Sequence, residues 1–205
     1  MIDVYAAPTA NGLRAKIMLD ECGLPYTLHK IDLTKGEQKT PGFLKMNPVG
    51  SIPVIVDNDG PGGKPVTIAQ SVAILMYLGE KSGKFIPKDP AKRGAFLEAL
   101  MNAATDVGPT LGTVNLIVRS KEPHKPTLEM FEGRFRNYFK VWDDKLAHQR
   151  YAVDDEVSIA DFALYSYFAR CSVQYPTLLA GLDNVARWGK EIGARPGVAK
   201  GMNFG

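Results

Sequence analysis

The apolar residues of this chain change their period once, and the change falls on the Gly- and Pro-bearing stretch at residues 83–90. Before it, short apolar runs of strand type alternate with helical spacings. After it, strand-type runs vanish and long helical patterns continue to the end. Two differently built domains are therefore expected, a mixed α/β one over residues 1–82 and an all-α one over residues 91–205.

Within the first part, Ile2 to Ala6 reads as a strand that ends at the loop Pro8-Thr9-Ala10-Asn11-Gly12. Ala15, Met18, Leu19 and Cys22 repeat at helical spacing, and Gly23 with Pro25 supplies the stop. Tyr26 to Leu33 reads as a second strand, Gly36 to Met46 as a short irregular helix, and Ile52 to Val56 as a third strand opened by a proline. The segment from Asp57 to Pro65 is a hairpin loop into a fourth strand at Val66 to Ile68, and a helix runs from Ser71 to about Lys81. This order is that of a thioredoxin-like unit with a mixed sheet: a parallel pair through a helical crossover, then an antiparallel hairpin. In the second part, helices are expected near residues 91–120, 127–148, 158–173 and 182–193, with Pro123, Pro126, Pro176 and Pro196 as breaks.

Composition excludes several classes. No apolar stretch approaches the roughly 18 uncharged residues needed to span a bilayer, and the first residues form a strand pattern rather than a signal peptide. The net charge is only +3, and Lys81, Lys84, Lys88, Lys92 and Arg93 lie among acidic and turn residues without interleaved aromatics. They read as a solvated face, so neither a membrane nor a nucleic acid is an expected partner. The two cysteines, Cys22 and Cys171, form no CxxC pair and no metal-ligand spacing with the three histidines. They read as buried thiols in a cytoplasmic protein that carries no metal.

Four motifs carry a more specific message: Gly23-Leu24-Pro25-Tyr26, Asn47-Pro48-Val49-Gly50-Ser51-Ile52-Pro53-Val54-Ile55, Gln70-Ser71-Val72-Ala73-Ile74-Leu75 and Ser158-Ile159-Ala160-Asp161. In this order and spacing they resemble the glutathione transferase superfamily. Pro8 to Gly12, Lys35 to Gln38 and Gly108 to Gly112 look most like its bacterial Nu class, whose members also reduce disulfides with glutathione. The resemblance implies the cytosolic glutathione transferase architecture, glutathione as cosubstrate and a homodimer.

It also implies site residues, each of which has a plainer reading. From residue type alone, Pro53 is an edge-strand proline; the family motif makes Ile52-Pro53 a cis bond whose flanking backbone pairs with the cysteinyl part of glutathione. Gln70 and Ser71 cap a helix, and the same unpaired N–H groups can hold the γ-glutamyl carboxylate. Asn11 reads as a turn residue and Thr9 as a cap; the resemblance makes them donors to the glutathione sulfur, whose free pKa of about 8.5 must fall for it to act as a thiolate at neutral pH. Gln38 is a solvated residue or a partner of the glycyl end. Ser51 stands where relatives often have lysine, and Met130 where an arginine is expected, with Arg134 one turn on as a substitute. Ser158 to Asp161 is a capping box with a folding role.

The loop from Pro8 to Gly12 has no cysteine, so the sulfur must arrive with the cosubstrate. The implied activity is conjugation of glutathione to an electrophile, glutathione-dependent disulfide reduction, or both; the alternative is a non-catalytic binding or dimerisation module of the same fold. The second substrate's pocket depends on how Leu13, Asn102, Leu111 and Tyr138 converge.

Overall fold

The computed structural model describes residues 1–204. They form two compact units, residues 1–86 with 194–204, and residues 87–193.

The first unit holds strands β1 (Ile2–Ala6), β2 (Tyr26–Lys30), β3 (Val54–Asp57) and β4 (Val66–Ala69) in the order β2-β1-β3-β4. β1 pairs parallel with β2 through the crossover helix α1 (Ala10–Cys22), and antiparallel with β3, which pairs antiparallel with β4. The sheet is mixed, as the element order predicts. A short 3₁₀ turn (Glu37–Lys39), helix α2 (Pro41–Met46) and helix α3 (Ser71–Ser82) complete the sequential part. Val4, Ala6, Val54 and Ile55 of the sheet, Ile17, Met18 and Leu19 of α1, and Ile74, Leu75 and Leu78 of α3 are fully buried. Helices α1 and α3 both end on a glycine, Gly23 at φ +70° and Gly83 at φ +68°, a left-handed cap that returns amide bonds to the last carbonyls.

One element departs from the sequence-based division. Helix α9 (Pro196–Met202) belongs to the first unit, not to the helical domain expected over 91–205. Pro196 marks the break after α8, which ends at Gly193, and also starts α9. Gly197 and Gly201, one turn apart, let α9 lie directly on α1: a Cβ on Gly201 would stand 2.5 Å from Ile17 Cα, and one on Gly197 2.8 Å from Glu21 Cα. Charges fix the register. Arg195 grips Glu21 with two hydrogen bonds, at 3.0 and 2.6 Å, and Glu21 also accepts from the Val198 amide at the start of α9. Buried Lys16 donates to the Lys200 carbonyl at 2.7 Å and to Asp20 at 3.2 Å.

The second unit contains α4 (Arg93–Met101), a π-helical turn (Asn102–Val107), α5 (Gly108–Val118), α6 (Lys125–Leu146), α7 (Ile159–Gln174) and α8 (Asp183–Gly193). The expected helix over 91–120 is thus one run with a π-turn inside it. Phe96, Leu100, Phe135, Phe139, Phe162 and Trp188 are fully buried. The capping box is formed: the Ser158 amide donates to Asp161 at 2.9 Å, while the Ala152 amide and the Trp188 indole N–H converge on its other oxygen. Burial pushes the Asp161 carboxyl up, and these donors work against that rise. Its role is structural, joining the preceding loop, α7 and α8.

Candidate active site

The site is built where α1 and α3 begin. Thr9 is the N-cap of α1, extended in backbone, and its hydroxyl accepts the Gly12 amide at 3.2 Å. Gly12 is required for this turn, because a Cβ there would collide with the Ala7 carbonyl. The cap leaves Asn11 exposed in the first turn of α1. Its Oδ1 accepts from Arg14 Nη1 at 3.2 Å and from the Ser71 hydroxyl at 3.4 Å, which fixes the orientation of its amide.

Ser71 opens α3 and is largely buried, at 8% exposure. Its hydroxyl also accepts from Arg14 Nη1 at 3.1 Å. The preceding Gln70 takes φ +75° and ψ 112°, a left-handed conformation that strains a residue with a side chain by about 1 to 3 kcal/mol. Such strain persists where the surrounding chain requires it. Here it turns β4 sharply into α3 and leaves the first amides of α3 at the turn.

The Ile52-Pro53 bond is cis, as the motif leads one to expect. The segment before it is arranged by Asn47, which is 6% exposed: its amide donates to the Ser51 carbonyl at 2.7 Å and to the Ser51 hydroxyl at 3.2 Å, and its Oδ1 accepts the Val49 amide. Gln38 lies in the 3₁₀ turn, and its Oε1 is buried with no hydrogen-bond partner among the described residues.

Thr9, Asn11, Gln38, Ser51, Ile52, Pro53, Gln70 and Ser71 thus all belong to the first unit, and the structure directly joins Asn11 to Ser71. Arg134 belongs to the second unit, exposed on α6 with its guanidinium 5.8 Å from the Phe131 ring. Met130, one turn earlier, is also exposed.

Two residues of this arrangement escape a reading from sequence. Asn47 reads only as part of a loop motif. Arg14 belongs to none of the motifs, yet it is 1% exposed and bridges the starts of both helices. The available signal was its i, i+3 spacing from Asn11 on the first turn of α1, with apolar Leu13 and Ile17 beside it.

Neither cysteine offers a working thiol. Cys22 and Cys171 are free and buried, and burial raises both pKa values, that of Cys171 to about 12. No group of three or more His, Cys, Asp or Glu side chains among the described residues is placed to hold a metal ion. Of the four side chains expected to shape a second pocket, Asn102 and Tyr138 line one cleft of about 80 Å³ in the second unit, with Trp142 and Lys145. Leu13 and Leu111 are instead core residues.

A thioredoxin-like sheet whose helix starts converge on a polar network, with an all-helical unit following in sequence, defines a class that the comparisons make specific. Residues 10–81 match the glutathione S-transferase N-terminal domain family and residues 125–188 its C-terminal domain family. The chain is 33% identical over 204 residues to the disulfide-bond oxidoreductase YfcG of Escherichia coli, covering 98% of this chain and 94% of that protein. A glutathione transferase family member from Pseudomonas fluorescens, solved with two glutathione bound, superposes with a TM-score of 0.94 at 31% identity, over 98% of this chain and 92% of that one. A glutathione transferase from Pseudomonas putida, with one glutathione disulfide bound per subunit, gives 0.93 at 30% identity, over 99% and 91%. The chain belongs to the glutathione S-transferase family. Its relatives thus include a disulfide-bond oxidoreductase as well as transferases.

Proposed function

We propose that the first unit binds glutathione and holds its sulfur as a thiolate, for glutathione-dependent disulfide reduction and for conjugation to electrophiles. The observation that carries this reading is the Arg14 guanidinium, which donates to both Asn11 and Ser71 and so couples the start of α1 to the start of α3. A γ-glutamyl carboxylate at the start of α3 would meet the first amides of a twelve-residue helix, the Ser71 hydroxyl and the field of Arg14, with Gln70 beside its ammonium. The backbone of Ile52, ahead of Pro53, would pair with the cysteinyl part. The same reading assigns Gln38 and Ser51 to the glycyl end.

Thr9 and Asn11 are the donors to the thiolate. Stabilising the anion by one pKa unit takes about 1.4 kcal/mol, within the reach of one hydrogen bond to a charged group. In disulfide reduction, this thiolate attacks one substrate sulfur, forms a mixed disulfide and releases the other sulfur as a thiol. A second glutathione then attacks the mixed disulfide, giving glutathione disulfide and the second thiol, so two glutathiones supply the two electrons. The pair of glutathiones in the Pseudomonas fluorescens relative and the disulfide in the Pseudomonas putida one favour this route. In conjugation, the same thiolate attacks an electrophilic carbon.

The protein acts in the cytoplasm as a homodimer without a metal, on small molecules rather than nucleic acid or membrane. No helix among the described residues is long and apolar enough to cross a bilayer. Exposed Leu97 and Met101, one turn apart on α4, offer an apolar contact for a second copy. The test is to assay the purified chain for glutathione conjugation and glutathione-linked disulfide reduction beside Thr9→Ala and Asn11→Ala. Absence of both activities, with no glutathione binding by calorimetry, would instead assign a scaffold role.

A further inference from the structure

Helix α9 returns to the first unit after the whole second unit has intervened in sequence, and it bonds to α1 close behind the candidate site. The two helices run antiparallel, Gly197 lying against Glu21 and Gly201 against Ile17. At the far end, Glu21 holds Arg195 and the Val198 amide. At the near end stands Lys16, a lysine only 5% exposed. Its ammonium donates to the Lys200 carbonyl in the last turn of α9 at 2.7 Å, and to Asp20 at 3.2 Å.

A buried ammonium is costly, and an apolar side chain of similar length can often replace one without loss of stability. Folding does not require this charge, because without it Asp20 keeps the Lys200 ammonium at 2.9 Å and the Tyr26 hydroxyl at 3.1 Å. What Lys16 adds is direction. The packing of buried Ile17, Met18 and Leu19 is apolar and non-directional, whereas a bond to the Lys200 carbonyl fixes α1 along its axis. Arg14 lies two residues before Lys16, and Asn11 lies five before it, about 7.5 Å of helix. A slide at Lys16 is therefore carried to the start of α1. There the Ser71 hydroxyl reaches Asn11 Oδ1 at 3.4 Å, near the limit for a hydrogen bond, so a further shift of about half an ångström would break the contact.

We propose that Lys16 is a positioning residue for the glutathione thiolate: it pins α1 to α9, so that the start of α1 presents Asn11 and Arg14 in register with Ser71. The inference rests on the reading that the first unit binds and activates glutathione. It gives α9 a part in the chemistry that acts through α1.

The test is an ultraviolet titration of bound glutathione on the full chain, with three single variants and a thermal melt of each. Lys16→Met removes the bond to α9 together with a charge. Gly201→Ala keeps every charge but sets a Cβ 2.5 Å from Ile17 Cα, which displaces α9 from α1. Lys200→Met removes a neighbouring charge and keeps the carbonyl that Lys16 holds. Lys16→Met and Gly201→Ala should each raise the pKa of the bound thiol by about half to one unit, a thiolate-to-thiol ratio about three- to tenfold lower, with S-methylglutathione still bound within about threefold of its original affinity. Lys200→Met should leave the titration unchanged. A titration unmoved in folded Lys16→Met or in Gly201→Ala overturns the proposal, and Gly201→Ala decides the matter if Lys16→Met does not fold. A rise in Lys200→Met equal to that in Lys16→Met also overturns it, since charge rather than position would then be the cause, as does a loss of S-methylglutathione binding beyond that limit. If the unaltered protein binds no glutathione, or binds it without lowering the pKa of its thiol, the reading of the site itself is refuted and Lys16 loses its role with it.

Discussion

Replacing Arg14 with Met keeps the volume of a buried side chain and removes its charge, and the structure sets the scale of what should follow. Arg14 Nη1 lies 3.1 Å from the Ser71 hydroxyl, and a carboxylate oxygen accepting from that hydroxyl would sit about 2.7 Å beyond it. The two charges are then separated by at most about 6 Å. At an effective dielectric constant of about 20, the attraction amounts to about 3 kcal/mol. Solvent at the open side of the site should halve this, to about 1.5 kcal/mol, an affinity loss of about tenfold. The assay is calorimetric titration with glutathione and with 4-aminobutyryl-cysteinylglycine, which lacks only the γ-glutamyl carboxylate. Arg14→Met should weaken glutathione about tenfold and leave the decarboxylated analogue unchanged, with a thermal melt run alongside to confirm folding. Glutathione affinity within about twofold of the unaltered protein would refute the electrostatic argument. So would an equal loss for the two peptides, which would mark Arg14 as a packing residue.

Two further outcomes concern stability. Asp57, 1% exposed, would have its pKa raised by burial, but Lys81 at 2.8 Å, the Tyr77 hydroxyl at 2.6 Å and the Asp59 amide outweigh this and hold it below the ordinary carboxylate range. The unfolded chain therefore binds this proton more readily, so the stabilisation is present in full above about pH 4 and is lost as pH falls through the lower folded pKa. Asp57→Asn should cost about 2 to 4 kcal/mol in urea unfolding at neutral pH, and the gap to the unaltered protein should close in acid; a pH-independent gap would contradict the assignment. Gly201→Val would drive a side chain into the α1 backbone at Ile17 and should cost about 1 to 3 kcal/mol while exposing residues 194–204 to limited proteolysis. Unchanged stability would mean that α9 can move off α1 without loss.

Periodicity carried most of the architecture because each element buries one face. β1 alternates buried and half-buried residues, and α3 begins at Ser71 as its apolar spacing requires. The C-terminal helix failed that approach for a definite reason. Gly197 and Gly201 contribute no apolar stripe, since their value lies in having no side chain where α9 meets α1, and Pro196 marks the break after α8 as well as the start of α9. The motif residues at the candidate site were legible as types: Thr9 as a cap, Pro53 as cis, Ser158 with Asp161 as a capping box. What holds them was not. Arg14 meets a partner distant in sequence, Ser71, and a charged residue on a helix looks solvated until its neighbours are known.

In the proposed mechanism, this site turns glutathione into a thiolate using Thr9 and Asn11 rather than a resident sulfur. Its most direct test is an ultraviolet titration of the thiolate of enzyme-bound glutathione, compared with the same titration on a Thr9→Ala, Asn11→Ala double variant at saturating glutathione. The bound pKa should lie about one to two units below the free value of about 8.5, and return toward that value in the double variant. A bound thiol that titrates at or above the free value, or a lowered pKa that the double variant leaves untouched, would contradict it.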